Sequence, residues 1–468
     1  MSRARKPRTP ALDPLFVEIL SSPDRDRCPR ARPVISWSQA DPSPFLASIE
    51  TAAIRAVTLE RRGAYHGEWA ELDPGRLPDA LRDEYSGDDR GDDGGSDVDE
   101  AAFEAALAQR WHATRPIVLP GIARALVAEC AEEIDEAGDL RDELGAEGGL
   151  RRFLEARRDR LEPDFRLIGR RASLADRERD IERVLLESFA PTGRGRPIED
   201  LWLKTGWLST HDEDASLRLR VSYGAERDDD AARDILRHRL VAELARRLVP
   251  CAGAVADDPL LVPLVERLCG ERVLFTQSIA YWNSPNGGVR FHHDAFAEDA
   301  LDEGAWRQVG VCYVQLSGAT AWLALSVDDM AARIGEFVEA LEEGELPWVR
   351  AQLFDDGAAW ERMRALSADR ARLASELALP GQGVLGPLVN RGPEFTSFLA
   401  DAGHAHLLEA GDAILLPNRG LSATCLHSVF CASDEIGYSL SLALRPDRES
   451  PEDAQMRAAR GLRRARRQ

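Results

Sequence analysis

Beyond Val273 the sequence breaks into short strand-like runs separated by Gly, Pro and Asn turns, and one of these runs delivers an H-x-D pair. Short runs rich in apolar and β-branched residues, bounded by turn residues, read as strands. They are Val273 to Tyr281, Val309 to Val314, Ala321 to Leu325, His404 to Leu408, Ala413 to Pro417, Cys425 to Cys431 and Ile436 to Leu444. The loop Asn283 to Gly288 leads into Phe291-His292-His293-Asp294. Residues i and i+2 of a strand point to one face, so His292 pairs with Asp294 and His293 faces away. An imidazole and a carboxylate on one face can share a metal ion. A second imidazole from elsewhere completes a 2-His-1-carboxylate triad with open positions, the arrangement suited to non-haem Fe(II). The pair alone is a frequent chance pattern, and the surrounding sequence gives it weight.

The part before Val273 is mostly helical in pattern. Residues 1–100 form an N-terminal extension, with an amphipathic stretch at Phe45 to Leu59 and a flexible linker at Asp83 to Glu100. That linker is too rich in Asp and Gly to bury apolar surface, and it lacks EF-hand spacing. Residues 101–270 read as a mainly helical region, with helices expected around Phe103 to Trp111, Ile122 to Ala137, Leu150 to Leu161, Leu174 to Phe189, Asp228 to Val249 and Asp257 to Cys269, the last closed by Gly270. A strand pair interrupts it near 201–224. In its second member Leu217, Leu219 and Val221 alternate with Arg218 and Arg220, which places the arginines toward solvent or an anion, with solvent the default. Helical periodicity returns between the later strands as an insertion at 327–400, and a basic tail occupies 447–468. The fold class expected is α+β. Short antiparallel strands with inward metal ligands, at 271–446, point to a double-stranded β-helix, a jelly roll, preceded by the helical region.

Composition narrows the function. A formal net charge of −21 argues against a general nucleic-acid binder. With 44% hydrophobic residues the chain can bury a core. Seven cysteines without a C-x-x-C pair fit reduced thiols better than a disulfide framework. No signal peptide and no run of eighteen apolar residues is visible, so a cytoplasmic protein without a membrane span is expected.

The stretch Glu409-Ala410-Gly411-Asp412-Ala413-Ile414-Leu415-Leu416-Pro417, followed ten residues on by His427, resembles the turn, strand and distal histidine of JmjC/cupin-like 2-oxoglutarate- and Fe(II)-dependent oxygenases. The resemblance covers roughly residues 270–446. Gly437 to Pro446 is similar to the closing strand of bacterial JmjC-type protein hydroxylases. The resemblance implies that His292, Asp294 and His427 hold Fe(II). It places Tyr281, Trp322 and Ser439 around the 2-oxoglutarate pocket.

There is one departure. The family has Lys or Arg two residues before the tryptophan, to meet the distal carboxylate of 2-oxoglutarate, and here that residue is Thr320. A hydroxyl does not replace a cation as charge partner. Arg445, Arg290 and Lys204 are the named replacements. His404, His406 and Cys425 read as packing or supporting groups. The implied activity is hydroxylation of a C–H in a protein or peptide side chain or a small molecule. The N-terminal half would widen the substrate surface or mediate homodimerisation. The rival readings are a metal-binding cupin-type protein without oxygenase activity and a partner-binding scaffold.

Overall fold

The structure is a computed structural model. It describes residues 107–448 apart from 120, 163, 171–179, 189–197, 208–214, 224–234, 286, 296–307, 345–346, 355–356, 392, 400–401, 403 and 434. The expectations for residues 1–106 and for the tail beyond 448 lie outside the described residues.

The chain is a mixed α+β protein with two antiparallel sheets. In chain order the strands are β1 (Ile117–Leu119), β2 (Phe165–Arg170), β3 (Asp180–Ser188), β4 (Ile198–Trp207), β5 (Leu217–Tyr223), β6 (Val273–Asn283), β7 (Gly288–His292), β8 (Gly310–Gln315), β9 (Ala319–Ser326), β10 (Ala405–Glu409), β11 (Ala413–Pro417), β12 (Cys425–Cys431) and β13 (Gly437–Pro446). Among the described residues the larger sheet has nine strands in the order β1-β11-β8-β13-β6-β5-β4-β3-β2, and the smaller has four in the order β10-β9-β12-β7. Among the described residues no strand pairing joins one sheet to the other, so the expected barrel is not a closed one. A cavity lined by residues of both sheets lies between them.

Strands β8 and β9 are consecutive but lie in different sheets, so the Ser317-Gly318 turn carries the chain across rather than closing a hairpin. Gly318 has φ of +68°, and a Cβ there would come within 2.8 Å of the Gly437 Cα. Only glycine fits so close a backbone crossing in a left-handed conformation.

One helix of the sequence reading is replaced by a strand. The segment Leu174 to Phe189 was expected to be helical, and its described part is β3, paired with β2 and β4. Glu182, Val184 and Leu186 are buried at alternate positions, a strand period. Glu182 interrupts the apolar alternation because its carboxylate accepts the backbone N–H of Leu150 at 3.1 Å, at the start of helix Gly149–Ala156. The anticipated strand pair near 201–224 is thus a run of four strands, β2 to β5, joined to the main sheet through the pairing of β5 with β6.

Among the described residues six helices lie between β9 and β10, the first spanning Val327–Glu343 and the last Pro393–Leu399. The first starts where the Ser326 hydroxyl accepts the Asp329 N–H at 3.0 Å and stops at Gly344 with φ of +83°. Phe337, Phe395 and Phe398 pack together, with Phe337 and Phe395 edge to face at 5.2 Å, and tie the first helix to the last. Among the described residues no helix is long and apolar enough to cross a membrane.

Candidate metal centre

His427 lies on β12 and His292 on β7, directly opposite each other in the antiparallel pairing of the two strands. Opposed residues share a face, and the two imidazole centroids are 4.2 Å apart. Asp294 lies two residues beyond the end of β7, outside the strand. Its carboxylate lies on the same side as the His292 ring, as the i, i+2 spacing anticipates. One donor atom from each of His292, Asp294 and His427 lies within 4.8 Å of the others.

The neighbouring chain holds this geometry. His292 Nδ1 donates to the Arg290 carbonyl at 2.7 Å, which leaves Nε2 with its lone pair directed elsewhere. His293 is turned away: its Nε2 donates to the Ala378 carbonyl at 2.9 Å and its Nδ1 accepts from the Ala295 N–H at 3.1 Å. The Phe291 N–H donates to Asn390 Oδ1 at 3.1 Å. Ala378 and Asn390 both belong to the helical insertion, so the insertion clamps the H-x-D segment from two sides.

His427 is buried, and burial pushes its pKa down to about 3, with His292 adding to the depression and Asp294 opposing it. The 3.7 Å separation of His427 Nε2 from Asp294 Oδ2 is therefore a contact between a neutral imidazole and a carboxylate, not an ion pair. A neutral imidazole is the form that binds a metal. Two donors each about 2.1 Å from one ion stand about 3 to 4 Å apart, so this separation fits a shared cation. Two nitrogens and one carboxylate oxygen at the wall of a cavity form a donor set suited to Fe(II).

The cavity has a volume of about 250 Å³. Tyr281 and Trp322 line it beside the triad. Thr320, Ser439 and Arg445 are fully buried and do not line it. Thr320 is part of a neutral network: its hydroxyl donates to Gln315 Oε1 at 2.7 Å and accepts from Trp322 Nε1 at 2.9 Å. Tyr313 donates to the same Gln315 oxygen at 3.0 Å. Asn283 Nδ2 reaches the Tyr313 hydroxyl and Ser439 Oγ, each at 3.5 Å. Arg445 donates to the Oε1 of Gln277, a cavity residue, at 3.2 Å. Arg290 contributes its carbonyl to His292, and Lys204 lies on β4 opposite Arg220. Cys425 is a packed thiol, pushed up by burial.

The sequence reading set Arg218 and Arg220 toward solvent or an anion, with solvent as the default. Both are half-buried and line the cavity, so the solvent-facing default is overturned. The alternation of β5 was visible, but the face its polar side meets depends on its pairing with β6, which alternation does not encode.

His404 and His406 lie outside the cavity lining. Burial pushes His406 down to about 3, with Arg110 adding to the effect. The unfolded chain protonates a histidine at about pH 6.5, so below that pH it binds more protons than the folded chain. Stability contributed by neutral His406 is present above pH 6.5 and is lost as the pH falls toward the folded-state value. Between pH 6.5 and pH 5 the loss from this one group is about 2 kcal/mol. Urea midpoints at pH 7 and pH 5 should therefore converge in His406→Gln relative to the parent. An unchanged difference would remove His406 from the account of acid lability.

No protein-family model and no curated protein sequence matches the chain.

Proposed function

We propose that the chain is a non-haem Fe(II) oxygenase that uses 2-oxoglutarate to hydroxylate a C–H of a protein or peptide side chain or of a small molecule. The observation that carries the reading is the meeting of His292, Asp294 and His427 at the wall of a cavity between two sheets. The strand order supports it. Four strands of the large sheet, β11-β8-β13-β6, and the four of the small sheet, β10-β9-β12-β7, take up the chain alternately except at the β9–β10 step, where the helical insertion intervenes. That winding is what a double-stranded β-helix requires.

The chemistry that Fe(II) supplies in such a site is O₂ activation: 2-oxoglutarate, O₂ and a substrate C–H become succinate, CO₂ and a C–OH. The chain's own residues do the rest. His292, Asp294 and His427 would hold the ion at the cavity wall. Val289, Val311 and Val429 give that cavity apolar walls that limit water. Trp322 packs 5.6 Å from the His427 ring and edge to face with Tyr313 at 4.6 Å, which fixes the wall beside the distal ligand.

A specific observation favours the alternative of a metal-binding cupin-type protein without oxygenase activity: the Thr320 position is neutral and already engaged with Gln315 and Trp322. One experiment decides between them. Fe(II)-loaded protein given 2-oxoglutarate and O₂ should form succinate, and Asp294→Ala should not. An intact, iron-loaded protein that forms none would overturn the oxygenase reading.

A further inference from the structure

We propose that Arg218 and Arg220 of β5 form a carboxylate-binding subsite of the metal cavity, supplying the charge that Thr320 cannot. This rests on the oxygenase reading and names the residues that receive the far end of its 2-oxo-dicarboxylate co-substrate.

The registers of three strand pairs carry the placement. Ser439 stands opposite Gln315 on one side and Tyr281 on the other, and Tyr281 stands opposite Arg218. One row across β8, β13, β6 and β5 therefore reads Gln315, Ser439, Tyr281, Arg218 on a single face. The next row reads Tyr313, Ser441, Ile279, Arg220 by the same pairings. Tyr281, Ile279, Ser441 and Tyr313 all line the cavity, and both arginines line it with them. Adjacent strands are about 4.8 Å apart, so Arg218 is one strand from Tyr281 and two from Ser439. Its row contains the residues that the resemblance assigns to the co-substrate.

Charge points to the same ligand class. Among the described lining residues Asp294 is the only carboxylate, and it belongs to the ion, whereas the two arginines bring two positive charges. Guanidinium groups on that wall suit a carboxylate ligand. The 2-oxo acid end would meet the ion and the distal carboxylate the guanidinium groups, whose planar forks match a carboxylate in two-point contacts. Both side chains are half-buried, where such contacts are screened less than in water. The cationic wall then comes from a strand outside the two four-strand layers.

The same carboxylate chemistry could be presented by an acidic primary substrate, and the test separates the two sources. Protein loaded with Mn(II), which is redox-silent here, is titrated calorimetrically with 2-oxoglutarate and with 2-oxobutyrate, which has the same chelating head and no distal carboxylate. The parent should prefer 2-oxoglutarate. In Arg218→Gln/Arg220→Gln its affinity should fall about 10- to 100-fold, the scale of charged hydrogen bonds, with 2-oxobutyrate and Mn(II) affinity unchanged. Arg218→Lys, which retains the charge, should recover part of the loss and guards against misfolding. Succinate formation by Fe(II)-loaded protein with 2-oxoglutarate alone involves no primary substrate, so its KM should rise in the double variant. Unchanged affinity and KM in the double variant would overturn the proposal and assign the arginines to another ligand. A parent that binds Mn(II) but neither 2-oxo acid would instead overturn the oxygenase reading beneath it.

Discussion

His427→Ala is expected to abolish stoichiometric Fe(II) binding, and succinate formation with it. The loss should exceed the roughly 10- to 100-fold that removal of a ligand's supporting partner costs, because a donor atom itself is lost. Two donors would remain, one of them the half-buried Asp294 on a turn beyond β7. The informative comparison is His293→Ala. His293 is adjacent to His292 in sequence, but both its ring nitrogens are engaged away from the triad, with Ala378 and Ala295. It should retain full metal stoichiometry with at most a small change in affinity, since one clamp from the insertion is loosened. Anaerobic Fe(II) titration followed by metal analysis of both variants checks this. Stoichiometric iron in His427→Ala, or its loss in His293→Ala, would show that the centre is built from other residues.

The sequence revealed much of this centre. Strand parity selected His292 over His293 as the partner of Asp294, and those two meet although Asp294 lies two residues past the end of β7. His427 was reached through the resemblance carried by Glu409 to Pro417, and β11 and β12 occupy the ranges that apolar runs and turn residues marked, Ala413–Pro417 and Cys425–Cys431. Cross-strand register was not legible. It brings His427 opposite His292 and sets Arg218 beside Tyr281, and nothing local to either strand encodes it. The segment around β3 was misread because the acid–base pattern of Asp176 to Asp180 resembles an exposed helix face, and because Glu182, a buried charge, hides the strand alternation. A carboxylate serving a distant helix start is tertiary information, and a local pattern cannot carry it.

The Gly411-Asp412 turn raises a sharper question, since it pointed to the family yet contributes no ligand. Its structural work is specific. Gly411 has φ of +92°, and a Cβ there would stand 3.0 Å from the Arg124 Cα. Asp412 is buried, and its two carboxylate oxygens accept backbone N–H groups from Gly121 at 2.7 Å and Glu409 at 2.9 Å. The turn is also bonded to β8, through Gly411 N–H to the Gln315 carbonyl at 2.8 Å and Gln315 N–H to the Asp412 carbonyl at 2.9 Å. One carboxylate thus fastens the start of the described helical region to the β10–β11 connection. Asp412→Ala strands one buried and one part-buried donor and should cost about 2 to 4 kcal/mol, read as a lower urea midpoint at unchanged m-value. Asp412→Asn, which keeps one oxygen acceptor, should cost less. His427 is held through β9 and β7, neither of which pairs with β11. Below its unfolding transition Asp412→Ala should therefore bind Fe(II) as the parent does. A variant that loses metal while still folded would mean that the turn sets the geometry of the centre, and not only the stability of the sheet beside it.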